Sequence, residues 1–148
     1  MIDIICRRIA SDDELAQCFD IRRKVFVQEQ HIFEHSDRDN YDGQAIYIAA
    51  FYQSRIIGTV RVYQDAGGIW WGGRLAVLKK YRGRAGRELV TAAVALVKLQ
   101  GAEHFYANIL SENFNFFKNI GWRPVGEEFL LLGRPHRLVE ADLGLQYK

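Results

Sequence analysis

Residues 75–89 read LAVLKKYRGRAGREL, an apolar strand-like run that passes through a basic glycine loop into a helix-forming segment. No other stretch constrains the fold as tightly, because a strand that feeds straight into an apolar helix needs a sheet for that helix to cover. Residues 87–99 (RELVTAAVALVKL) are apolar on most faces, as a helix packed on a sheet must be. The junction is also an anion site by construction. Free N–H groups and the helix dipole at the first turn favour negative charge, and Gly83 and Gly86 let backbone approach a phosphate closely. Lys79, Lys80, Arg82, Arg84 and Arg87 add five cations in nine residues.

Taken alone, such a loop could simply cap a helix, so the elements around it decide its meaning. Residues 2–9 form a short Ile-rich strand, and Ser11-Asp12-Asp13-Glu14 has the capping-box spacing that starts a helix. Residues 21–30 (IRRKVFVQEQ) make a second helix or continue the first. The stretch 31–43 (HIFEHSDRDNYDG) lacks apolar periodicity and reads as an exposed acidic loop. Runs at 45–52 and 56–63 flank Gln53-Ser54-Arg55 as an antiparallel hairpin, and 69–78 is a third strand. Gly72-Gly73 inside it marks a bulge or a close approach by another group. A strand at 104–110, a short helix at 111–120 and a closing hairpin around Gly133-Arg134-Pro135 complete the order. The expectation is a mixed α/β fold, a central mixed sheet of six to seven strands flanked by about four helices, with residues 1–148 as one domain.

With 148 residues the chain can bury a core without disulfides or metal, and Cys6 and Cys18 stand apart with no Cys/His cluster. They read as packing residues in a reducing, cytoplasmic protein. No apolar stretch is long enough to span a membrane, and residues 1–14 lack the order of a secretory signal. The formal charge of +2, with a single aromatic, Tyr81, among the clustered cations, argues against nucleic acid. The acids and histidines of 29–42 lack a metal-ligand motif, so no metal is expected. His136, at the late turn, reads as structural. Edge strands and that hairpin could support a homodimer.

The loop resembles the pyrophosphate loop of the GCN5-related N-acetyltransferase (GNAT) superfamily, Arg/Gln-x-x-Gly-x-Gly/Ala between a strand and a helix. The resemblance extends to Val25-Phe26-Val27-Gln28-Glu29-Gln30, to Asn113-Phe114-Asn115-Phe116-Phe117 followed by Gly121-Trp122, to Gly133-Arg134-Pro135-His136, and to the element order. YRGRAGREL is one residue shorter than the familiar form, so Ala85 and Arg87 fall where small residues are expected if Arg82 opens the motif. The resemblance implies acetyl-CoA as acyl donor. It places the pantetheine arm in a gap between Leu75-Ala76-Val77 and Ala107-Asn108-Ile109, the pyrophosphate on Arg82, Gly83, Arg84, Ala85, Gly86 and Arg87, and Asn113, Phe116 and Phe117 beside the thioester.

The implied reaction is direct acetyl transfer to a small amine in a ternary complex. It needs a neutral nucleophile, a polarised carbonyl and a proton for the leaving thiolate. Many members protonate the thiolate with a tyrosine where this chain has Phe117, so the acid here is water, another side chain such as Ser111 or Tyr106, or none at all. Several keep a carboxylate base on the strand before the loop, where Trp70, Trp71, Gly72 and Gly73 stand here. Glu29 is therefore the candidate base or cation-binding group, with Glu34 and Trp71 as candidate acceptor contacts. Asp37-x-Asp39-x-x-Asp42 after Arg23 and Phe26 is similar to the acidic signature of acyl-homoserine-lactone synthases, a second reading. A non-catalytic acyl-CoA-binding module is a third, motivated by Phe117.

Overall fold

The computed structural model describes residues 3–144. Seven strands form one sheet in the order β1-β2-β3-β4-β5-β7-β6, comprising β1 (Ile4–Arg8), β2 (Ile46–Tyr52), β3 (Arg55–Gln64), β4 (Trp70–Val77), β5 (Phe105–Leu110), β6 (Trp122–Leu131) and β7 (Arg134–Ala141). Every neighbouring pair is antiparallel except β4 and β5. The α-helices are α1 (Asp12–Arg22), α2 (Arg84–Leu99) and α3 (Phe114–Asn119). The mixed sheet matches the expectation. The fourth helix expected at 21–30 is a continuation of α1, wound as a π-helix over Arg23–Glu29.

Local chemistry explains the principal elements. Ser11 caps α1 by accepting from the Glu14 N–H at 3.2 Å, while the Glu14 carboxylate accepts from Ala10 N at 2.7 Å. Gln53 and Ser54 both take positive φ, the geometry that lets a two-residue turn follow strand twist between β2 and β3. The apolar face of α2, including Leu89, Val90, Val94 and Val97, packs on one side of the sheet against Ile48, Ile57, Val62 and Phe105. On the other side Cys18, Ile21 and Val25 meet Ala49, Ile56 and Ala76. Burying both faces makes β2 and β3 nearly continuous apolar runs.

Helix α2 begins at Arg84, three residues before the start read from the sequence. Gly83 at its N-cap has φ 88°, which only a residue without a Cβ adopts at low cost. That single left-handed residue turns the chain directly into the helix. Ala85, Gly86 and Arg87 thus belong to the first helical turn, and the shortened loop is absorbed by an earlier helix start.

Candidate active site

The sheet opens where β4 and β5 meet. They pair only through Trp70 with Phe105, Trp71 with Tyr106 and Gly72 with Ala107, after which β4 runs on to Val77 and β5 to Leu110 without a partner between them. Two features of β4 set where the pairing ends. At Gly72 a Cβ would come within 2.8 Å of the Phe105 ring, so the strand comes close to β5 only because that residue is glycine. Beyond it the β3–β4 register shifts between Thr59 and Arg61, with Arg74 at φ 51°, a bulge that bends β4 away. The gap expected between Leu75-Ala76-Val77 and Ala107-Asn108-Ile109 is therefore present.

Leu78 donates its N–H to Ile57 of β3 at 2.9 Å. Strand amides alternate in direction, so the Val77 amide and carbonyl are aimed into the gap. Arg87 N bonds back to the Gly83 carbonyl at 3.0 Å, which leaves the N–H groups of Arg84, Ala85 and Gly86 as the orphan donors of the first turn. Phe116 lies beside them, 3.7 Å from where a Gly86 Cβ would stand. Phe117, only 7% exposed, packs edge-on against Phe116 and Trp122.

A cavity of about 320 Å³ occupies the gap and continues onto the sheet face opposite α2. Leu75, Ala107, Asn108, Ile109, Asn113 and Phe117 line the strand-gap side. Phe26, Gln30, Ile32 and Phe33, delivered by the π-helix and the residues after it, cover the other side. The helix ends with Gln30 N on the Val25 carbonyl at 2.9 Å, and Ile32 N and Phe33 N both bond the Phe26 carbonyl, which folds this segment over the sheet. Trp71 lines the cavity, and its indole N–H is fixed on Asp65 at 2.9 Å. Arg61 Nε and Trp122 Nε1, on two other lining residues, are buried without a partner among the described residues. Unmatched buried donors in a cavity wall are available to a polar ligand.

Two cations of the loop are already engaged, Arg84 at 3.8 Å from Glu88 and Arg82 more tightly. Arg82 sets both terminal nitrogens on the Glu29 carboxylate and its Nε on the Val77 carbonyl at 3.0 Å. The structure thus joins two expected site residues in a way the sequence did not indicate. This bidentate pairing holds the Glu29 carboxyl below its ordinary range, and a carboxylate so occupied is a weak proton acceptor. Glu29 does not line the cavity, nor does Glu34, whose side chain is 89% exposed and faces His35.

The acidic stretch also departs from expectation. It is exposed at His31, Glu34 and His35, but Asp37 is 3% exposed and the Asp42 side chain 8%. Asp37 and Asp42 share Arg22, Asp39 and Asp42 share Arg61, and Arg74 reaches Asp37 and Asp39, all within 3.3 Å. Ion pairing, invisible as periodicity, buries this loop where apolar contact would not. The arginine engaged is Arg22, not Arg23, which lies on the surface against Asp20. Burial would raise the Asp42 carboxyl, but hydrogen bonds from Arg22 and Tyr47 outweigh it and hold Asp42 far below the usual range. His136, read as structural, lines the cavity and is 8% exposed. Its neighbourhood was legible only through strand register, which pairs it with Leu110.

Residues 13–122 match the model of the acetyltransferase (GNAT) family. The chain is 34% identical over 137 residues to an inferred acetyltransferase of Bacillus subtilis strain 168, BSU40680, spanning 90% of this chain and 92% of that one. The crystal structure of an inferred N-acetyltransferase from Lactobacillus plantarum superposes with a TM-score of 0.85 at 26% identity, over 95% of this chain and 98% of that one. The CoA-dependent acyl-homoserine lactone synthase BjaI shares the fold with a TM-score of 0.80 at 20% identity, over 95% and 84% of the respective chains. A sheet parted beside a glycine-capped helix, matched along most of its length by these sequences and structures, belongs to an N-acetyltransferase of the GNAT family.

Proposed function

We propose that this enzyme moves an acetyl group from acetyl-CoA to a small primary amine by direct attack within a ternary complex. The observation that carries this reading is the open β4–β5 gap, filled by a cavity that Leu75, Ala107, Asn108 and Asn113 line and that reaches Phe26, Ile32 and Phe33. The amides of Leu75 and Val77 would pair with the pantetheine as a strand would. The first turn of α2, with Arg82, Gly83, Arg84, Ala85, Gly86 and Arg87, would take the pyrophosphate. Asn113, Phe116 and Phe117 would flank the thioester end. Trp71 would form a wall of the acceptor pocket, with Phe26, Ile32 and Phe33 closing it from above.

In this reading Glu29 is a positioning residue. It holds the Arg82 guanidinium beside the Val77 carbonyl, at the edge of the gap, ready to turn toward a phosphate. The acceptor pocket is small and largely apolar, with Asp39 the one carboxylate among its described lining residues. This suits a compact amine carrying some apolar surface. The Arg22–Asp42–Arg61 cluster beside the pocket favours one second reading, a lactone synthase using a sulfonium-bearing amino acid as acceptor.

The test is thiol release from acetyl-CoA in the presence of pooled primary amines, with S-adenosylmethionine as a separate arm. Amine-dependent release with formation of the matching acetamide supports the proposal. Release confined to the S-adenosylmethionine arm, with lactone formation, supports the second reading. Tight acetyl-CoA binding with no release in any arm would contradict both and favour a binding module.

A further inference from the structure

We infer that His136 is the group that accepts the proton from the attacking amine, an inference that rests on the acyltransferase reading above. Five titratable side chains line the cavity, namely Asp39, Arg61, Tyr63, Arg74 and His136. The two arginines are donors only. Asp39 accepts two bonds from Arg61, at 2.6 and 2.7 Å, and a third from Arg74 at 3.3 Å. Burial raises the Tyr63 phenol above its ordinary value, so it stays protonated. Outside the cavity Glu29 is clamped by Arg82, and Asp37 and Asp42 are held by Arg22.

His136 differs from all of these in how its two nitrogens are used. Nδ1 lies 2.8 Å from the Arg134 carbonyl oxygen. A carbonyl can only accept, so Nδ1 carries the hydrogen and, in the neutral ring, Nε2 keeps its lone pair. Among the described residues Nε2 has no hydrogen-bond partner. The ring is held in place by β7, whose register sets His136 opposite Leu110 of β5 and Phe129 of β6. Paired residues share a sheet face, so His136 stands with Leu110 and, two residues back along β5, Asn108, both of them cavity-lining residues where β5 has lost β4 as a neighbour. A second tether, from Arg134 to the Gln30 carbonyl at 3.4 Å, joins the start of β7 to the segment that roofs the pocket.

The bookkeeping of the step is simple. The amine nitrogen bonds to the thioester carbonyl carbon, the carbon–sulfur bond breaks with its electron pair going to sulfur, and the proton shed by nitrogen goes to Nε2. From there it passes to the thiolate, so the neutral ring is restored and free thiol leaves. This route requires no hydroxyl at position 117, where the chain has phenylalanine.

The test is bromoacetyl-CoA, whose reactive carbon is bonded to the thioester carbonyl and alkylates a free imidazole nitrogen with loss of bromide. Peptide mass mapping is expected to find one adduct, on His136, prevented by excess acetyl-CoA and absent from His136→Gln. In thiol release with whichever amine of the pool gives the fastest turnover by the parent, His136→Gln is expected to lower kcat about 100- to 10,000-fold while KM for acetyl-CoA stays within about threefold. Thermal melting of the variant separates this from misfolding. A reagent that competes with acetyl-CoA yet leaves His136 unmodified, or a folded variant with kcat within about threefold of the parent, overturns the inference. A reagent that does not compete at all defeats the acyl-CoA reading instead, and the His136 assignment with it.

Discussion

Asp42 accepts from Arg22 at 2.8 and 3.0 Å, from Arg61 at 2.8 Å, from the Tyr47 hydroxyl at 2.7 Å and from the Asp39 N–H at 3.0 Å. One carboxylate therefore ties the 31–44 loop to α1, β2 and β3. Removing one member of a buried charge cluster leaves the others unpaired at a cost of about 3–5 kcal/mol. Asp42→Asn is expected to lose stability of that order in urea unfolding, whereas Glu34→Gln, on the surface, should change it by less than about 0.5 kcal/mol. The sign of the pH dependence follows from the depressed carboxyl. Asp42 titrates lower in the folded chain than its unfolded value of about 3.9, so its contribution is present above that value and is lost as pH falls below it. Asp39 and Glu140, held low by Arg61 and by His104 and Arg123 once their own burial is outweighed, act in the same direction. The parent chain is expected to lose stability in urea as pH is lowered from about 5, and Asp42→Asn to lose less over the same interval.

At the scale of elements, the cleft depends on how β4 leaves β5. Gly72 and Gly73 are adjacent, yet a Cβ at the first would meet Phe105 at 2.8 Å and one at the second would meet nothing within 4 Å. Gly72→Ala is expected to cost about 1–3 kcal/mol, because Phe105 is fully buried against Trp122 and has no room to yield. Gly73→Ala is expected to melt near the parent and to place a methyl group in the cavity wall. Melting both variants side by side checks the pair. Much at this scale was legible in the sequence. The paired glycines announced a close approach, the β-branched runs announced strands, and the apolar run after the basic loop announced the helix that covers the sheet. The missed features depend on contacts between distant segments. The Asp37, Asp39 and Asp42 spacing was visible, but their burial depends on Arg22, Arg61 and Arg74, far along the chain. The start of α2 was misplaced because Gly83, read as a loop residue, is itself the cap. The place of His136 in the cavity is set by a strand register that the sequence of the turn does not encode.

At the scale of the whole molecule, the sheet is covered by α2 on one face and α1 on the other, and the gap between β4 and β5 connects the two sides. In the proposed function this gap, together with the first turn of α2, is where acyl-CoA binds. A ligand held only by the folded state stabilises it by about 2.7 kcal/mol at a concentration 100 times its dissociation constant. The most direct test is calorimetric titration with acetyl-CoA of the parent chain and of the Arg82→Ala/Arg84→Ala variant, each shown by melting to be folded. One site per chain is expected in the parent, and an affinity at least tenfold weaker in the variant. No binding by the parent at millimolar acetyl-CoA, or equal affinity in the two proteins, would contradict that assignment.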